Sequence, residues 1–391
     1  MRMSFKSWLA RSAAVILGAC VATGVAAASG KTHILVTNDD VPPPIPATIL
    51  TIYSVGADGA LTMKGEVATD GFGIGGGYFP ANRINISNNG GEPCIYASEG
   101  LTSDVVSILV SHAQIAGRAY GSSTDTGLSN GIGLAMNAQY LYASFTDPST
   151  IGTFQVQPGC TLTFVGDTSV LGLQGGIIDG MHVLGNMMVV TYGDGSIESF
   201  DISAGTPVSN GDEQNSTGSR GGSTYPSAVD ITRDGHYAIF GDTSTSTVVE
   251  VSDISSGKLT PTVVYRLATS INSSNIMLSP DETLLYISNT QGGNIMAAFF
   301  DKTTGKVAKG CVSGGLKGYV TDWTYVAGLA LSTPTGTGGT IYAAEFPSSI
   351  AIVNVTSSGG TCTLTESASS PVSDPNSSGL LSIGVFPPRS F

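Results

Sequence analysis

The chain has 391 residues, 41% of them hydrophobic and only 12% charged, with 52 glycines and a formal charge of −13. That apolar content is enough for a core and excludes an intrinsically disordered chain, while the acidic balance excludes nucleic acid and anionic membrane surfaces as natural partners. Scarce charge with abundant Gly, Ser, Thr and Asn suits an extracellular β protein rich in turns.

Residues 1–28 read as an export signal. Arg2, Lys6 and Arg11 form a positive start, Ala13 to Val21 an apolar stretch, and Ala26-Ala27-Ala28 a small-residue cleavage site before Ser29. Leu17-Gly18-Ala19-Cys20 offers an alternative, a lipoprotein box with Cys20 lipidated. The expected location is therefore secreted or periplasmic, with lipid anchoring through Cys20 as the alternative. Losing the leader takes Lys+Arg from 16 to 13 against 29 Asp+Glu, and the net charge from −13 to −16. No other apolar run approaches the roughly 18 residues that a membrane span needs.

Residues 29–391 read as one domain built from a repeat. Short apolar runs, several carrying Tyr, recur at "ILVTN" (34–38), "IYASE" (95–99), "LYASF" (141–145), "MVVTY" (188–192), "YAIFG" (237–241), "LYISN" (285–289) and "IYAAE" (341–345). Each is followed by a second run of alternating or β-branched character, such as "TILTIYS" (48–54) or "NIMAAFF" (294–300), and then by a turn and a third short segment. Before most of them lies another apolar strand, such as "RINIS", "SAVDIT" or "NIMLS". Four strands per unit of roughly 45 to 60 residues, without an amphipathic helix, predict an all-β, seven-bladed propeller of four-stranded blades. The chain enters at the second strand of a blade, so the C-terminal "GLLSIGVF" (379–386) is expected to supply the missing innermost strand and close the ring. The Gly/Ser/Asn-rich stretch 203–227 reads as a surface excursion between blades, or as a loop overhanging the channel. Gly71-x-Gly73-x-x-Gly76 precedes a strand rather than a helix and reads as a flexible loop, not a dinucleotide site.

Without the leader four cysteines remain, Cys94, Cys160, Cys311 and Cys362. In an exported chain they predict two disulfides, in any of three connectivities, and their spacing fits no zinc pattern.

"LSPDETLLYISN" and "FFDKTTGKV" resemble the seven-bladed lactonase-like propellers, the group of bacterial 6-phosphogluconolactonase and the fungal carboxymuconate-cyclizing enzyme. They are also similar to the surface-layer propellers built on Tyr-Val-Thr-Asn, a WD40-like repeat. The resemblance implies a small-molecule site at the channel mouth and hydrolysis of a lactone. Family members commonly start inner strands with Pro-His or His-x-His, where this chain has Ser227 and Ser274.

In an antiparallel blade the loops between second and third strands share a face with the starts of the inner strands, so these residues should converge. Arg83, Asp242 and Glu99 are the expected catalytic set, the carboxylates activating water and the guanidinium holding an oxyanion. Asn82, Asn130, Ser227, Ser274, Asn275, Asn289 and Glu345 are the expected ligand-binding ring. Asp39, Asp40 and Asp194 could hold a divalent cation such as Ca or Mn, although no cofactor is required. Of the four histidines only His182 falls on an inner strand; its three-residue spacing from Asp179 puts the two on opposite faces of a regular strand. The expected activity is hydrolysis of an unphosphorylated lactone or ring ester, since a phosphate would need more cations than this chain offers. The alternative is a non-catalytic propeller, a monomer binding a carbohydrate, peptide or cell-surface partner through exposed aromatics such as Tyr78, Phe79, Tyr192, Trp323 or Phe346.

Overall fold

A strand covered on both faces must be apolar at successive positions rather than alternate ones, and the recurring runs meet that condition. Leu284–Asn289 is buried along its whole length. Leu285 and Ile287 pack toward Ile239, Val249 and Ile276, while Leu284 and Tyr286 pack the other way against Ile341 and Ala351. The same period-two division repeats from blade to blade, so the core is a set of apolar layers between radially arranged sheets.

The computed structural model describes residues 33–39, 48–73, 83–89, 92–112, 114–120, 133–216, 226–242, 246–269, 273–289, 292–318, 326–332, 338–377 and 379–386. They form seven antiparallel sheets. The innermost strands, blade 1 to blade 7, are Leu380–Phe386, Ile84–Asn89, Leu134–Met136, Ile178–Leu184, Pro226–Ile231, Ser273–Leu278 and Val326–Ser332. Each lies beside the next around a closed ring. The second strands are Ile34–Asp39, Glu92–Glu99, Tyr140–Thr146, Met187–Tyr192, Tyr237–Asp242, Leu284–Asn289 and Gly338–Glu345. All seven contain the recurring apolar runs.

The C-terminal strand pairs with the first, Ile34 opposite Phe386 and Asn38 opposite Ser382, which closes the ring as expected. In two blades the tyrosine of the repeat latches the seam. Tyr142 Oη donates to the Gly205 carbonyl and Tyr342 Oη to that of Gly59, each at 2.8 Å in the next blade. The disulfides staple two other seams, Cys94–Cys160 between blades 2 and 3 and Cys311–Cys362 between blades 6 and 7, with Cα separations of 5.5 and 5.6 Å.

The excursion expected at 203–227 is partly regular. Val208–Ser209 and Gln214–Asn215 both pair with Ser196–Asp201 and together form the split outer edge of blade 4. Asp212 fixes the split, accepting from Ser199 N at 2.9 Å, Ser199 Oγ at 2.6 Å and Leu259 N at 2.7 Å. No helix among the described residues is long and apolar enough to cross a membrane.

Candidate functional site at the channel mouth

Five inner strands carry a one-residue irregularity at the same level, where they face the ends of the second strands. In blade 4, Ile178 pairs with Tyr192 and Gly180 with Thr191, leaving Asp179 as the extra residue. In blade 5 the extra residue is Ser227, between Pro226 and Ala228; in blade 6 it is Ser274, between Ser273 and Asn275. In blade 1 the register shifts opposite Asn38 and Asp39, and in blade 7 between Val326 and Leu329. A bulge removes a residue from the ladder and re-aims it, and here the ladder edge lines the channel. Of the expected ring, Ser227 and Ser274 are bulge residues, and Asp179 occupies the equivalent position in blade 4.

The bulge also decides which blade His182 approaches. It shifts the parity of the strand, so that Met181 and Val183 face blade 3 while Leu184 faces blade 5. His182 follows Leu184 and approaches blade 5, where its Nε2 lies 3.6 Å from Asp230 Oδ1. Asp230 is buried and accepts from Ile231 N at 2.8 Å and from Leu278 N in blade 6 at 2.7 Å. Those donors fix the position of the carboxylate beside the imidazole. The carboxylate that His182 approaches is thus on the neighbouring blade, and the expectation that His182 and Asp179 do not pair along one face stands.

Asp179 is surrounded by protein yet retains some solvent-accessible surface. Burial pushes its carboxyl up to about 7. Its neighbour Gly180 lets the inner strands of blades 4 and 5 approach closely, since a Cβ there would overlap the Ser227 carbonyl. Ser227 is fully buried, its Oγ 3.5 Å from the Gly241 carbonyl.

Arg83 stands at the start of the blade 2 inner strand, its N bonded to Ser382 Oγ at 3.0 Å and its carbonyl to Ser98 N at 3.1 Å. Its side chain is enclosed, and burial draws the guanidinium down to about 10, still charged at neutral pH. Asp242 pairs with Pro226, one residue from the Ser227 bulge. Asn275 is half-buried beside the Ser274 position. Asn82, Asn130 and Asp40 lie outside the described residues, as do Tyr78, Phe79 and Trp323.

The other expected residues serve the seams. Asn289 Nδ2 donates to Asn294 Oδ1 across its own turn. Glu345 accepts from Ser349 Oγ at 2.9 Å, and burial pushes it up to about 7. Asp39 Oδ1 accepts from Ser377 Oγ at 3.2 Å and Gly379 N at 3.0 Å. Asp194 accepts from the backbone N–H groups of Gln174, Gly176 and Ser196 at 2.7, 2.9 and 2.9 Å. Glu99, with no exposed side-chain surface, pairs with Arg118 at 2.8 Å. Tyr192 is fully buried with its hydroxyl on Glu198, rather than exposed as an aromatic contact for a partner. Among the described residues no three His, Cys, Asp or Glu side chains gather as a metal site would require.

The profile of the family described as lactonase, seven-bladed beta-propeller matches residues 109–376. No curated protein matches the sequence. Among solved structures, a candidate 6-phosphogluconolactonase of Bacteroides fragilis is similar at 13% identity and TM-score 0.68, over 91% of this chain and 99% of that one. A candidate 6-phosphogluconolactonase of Bacteroides uniformis follows at 14% identity and TM-score 0.65, over 91% and 100%. Hydrazine synthase of Kuenenia stuttgartiensis shares the architecture at 15% identity and TM-score 0.53, over 71% and 77%. At such identities the likeness is one of fold, and proteins named for different activities share it.

Proposed function

Since the chain belongs to the lactonase family of seven-bladed β-propellers, we propose that it hydrolyses an unphosphorylated lactone or related ring ester at the channel mouth. The observation that carries this reading is Asp179, a carboxyl on an inner-strand bulge pushed up to about 7, where a group can both accept and return a proton near neutrality. In its ionised form Asp179 takes a proton from water. The hydroxide oxygen then bonds to the lactone carbonyl carbon, and the charge on the carbonyl oxygen is met by the Arg83 guanidinium. Collapse breaks the ring C–O bond, and the proton held by Asp179 passes to the leaving alkoxide to give a hydroxy acid. His182, 3.6 Å from Asp230, lies on the same strand three residues on. Ser227 and Asn275, on the inner strands of blades 5 and 6, are the polar groups expected beside them.

An unphosphorylated substrate fits a chain with 16 Lys+Arg in all. Export fits both the leader pattern and the two disulfides, which persist in oxidising compartments. The test is turnover of a panel of sugar and aliphatic lactones by the leaderless protein, with and without EDTA. Asp179→Asn, Arg83→Ala and Asp242→Ala variants are run beside it. Loss of roughly 10²-fold or more in folded Asp179→Asn supports the reading. No turnover above background across the panel overturns it and favours a carbohydrate- or peptide-binding propeller.

A further inference from the structure

The seam between blades 1 and 2 holds a closed charge cluster that plays no part in the proposed hydrolysis. Glu99 ends the second strand of blade 2, Asp104 begins the third (Asp104–Leu109) and Arg118 lies on the fourth (Gln114–Tyr120). Arg118 Nη1 donates to Glu99 Oε2 at 2.8 Å and to Asp104 Oδ2, while Nη2 donates to the Thr69 carbonyl of the crossover from blade 1. Both carboxylates have no exposed side-chain surface. Glu99 Oε1 and Asp104 Oδ1 are buried with no hydrogen-bond partner among the described residues.

Two carboxylates without exposed side-chain surface and one guanidinium that is partly exposed leave an uncompensated negative charge, which is expensive where the carboxylates are buried. One proton on either carboxyl removes the charge. Gly71 seats directly against Glu99 Oε2, where a Cβ would overlap it, so the carboxyl has little room to turn away.

We propose that the Glu99–Arg118–Asp104 triad is a single-proton binding site, filled on Glu99 in mildly acidic solution and emptied in mildly alkaline solution, that locks the crossover from blade 1 into blade 2. Among the described residues, Arg118 and Asp104 are the charged groups facing Glu99. Thr69, Gly71 and Thr102 complete its surroundings without charge. Burial, then the like charge of Asp104, raises the Glu99 carboxyl to about 7 and outweighs Thr69 and Arg118, which pull the other way. The lock reaches the backbone through Leu101 N on the Phe72 carbonyl at 3.0 Å and Ser103 N on the Glu99 carbonyl at 2.9 Å. Above the midpoint the site charges, and these bonds loosen.

Carboxyl-labelled glutamate NMR reads the proton directly, with the Glu99 signal assigned by its absence in Glu99→Gln. The expected result is a wild-type midpoint near 7 that falls by more than one pH unit in Asp104→Asn, where one carboxylate and one guanidinium balance. A wild-type Glu99 midpoint in the ordinary range near 4 to 5, or a midpoint unmoved in Asp104→Asn, overturns the proposal. Should Asp104→Asn not fold, the wild-type midpoint alone decides.

Discussion

Glu99 and Asp194 do the same job in equivalent turns of two blades, and their carboxyl groups are driven in opposite directions. Each ends or follows a second strand and seats against glycine in the incoming crossover, Glu99 on Gly71 and Asp194 on Gly172 and Gly176. Burial raises both. For Asp194, hydrogen bonds from Ser196 side chain and backbone, Gln174 and Gly176 outweigh it and hold the carboxyl below its ordinary range. Glu99 receives Arg118 and a weak contact from Thr102 at 3.4 Å, and it faces Asp104. Glu345 on Gly318 behaves like Glu99, with Ser349 as its donor. Depth of burial and neighbouring charge, weighed against the donors, decide whether a lock is always charged or holds a proton: Glu99 is fully enclosed beside Asp104, while Asp194 is partly exposed among four donors.

The largest effect expected from breaking this comparison comes from removing the glycine seats. Gly71→Ala and Gly318→Ala drive a Cβ into the carboxylate and should each cost about 3 kcal/mol in urea unfolding. Combining Gly71→Ala with Glu99→Ala should recover part of that loss, because the overlapping atoms are gone. Next is Asp194→Ala, which strands three backbone donors; about 1–2 kcal/mol is expected, less than the sum of the bonds because the group is partly exposed.

Titration sharpens the contrast. A carboxyl raised in the folded state stabilises the fold below its unfolded pKa, and that contribution is lost as pH rises through the folded value. Stability assigned to Glu99 and Glu345 should therefore fall between about pH 4.5 and 7, and Glu99→Gln and Glu345→Gln should flatten that slope in melting curves. Asp194 has the opposite sign: its stabilisation is present above the ordinary aspartate range and is lost as pH falls through its lowered value. The smallest effect is that of the tyrosine latches. Tyr142→Phe and Tyr342→Phe should each cost about 1 kcal/mol, one neutral hydrogen bond apiece.

The blades were legible because every second strand is apolar on both faces, and seven such runs at similar spacing leave few other folds. Ring closure followed from a first strand without an inner neighbour and a last strand without an outer one. Disulfide pairing was not legible, because it depends on which blades adjoin. In the site, Ser227 and Ser274 stood out as starts of inner strands, where the resembling family carries histidine. Asp179 was seen only as a neighbour of His182, because the bulge that sets it apart depends on the pairing with Tyr192 and Thr191. That His182 approaches Asp230 of the next blade was not legible, because alternation holds only for an unbulged strand. The acidic turn residues were visible, but which of them seat on glycine depends on crossovers that sequence spacing does not reveal.

The pH dependence of lactone hydrolysis in wild type and Asp179→Asn tests the central claim most directly. A base with a carboxyl near 7 must lose its proton to act, so kcat/KM should rise with pH through about 7 in wild type, and Asp179→Asn should retain neither that limb nor most of the rate. A profile flat through that range, or one that Asp179→Asn leaves unchanged, would contradict it.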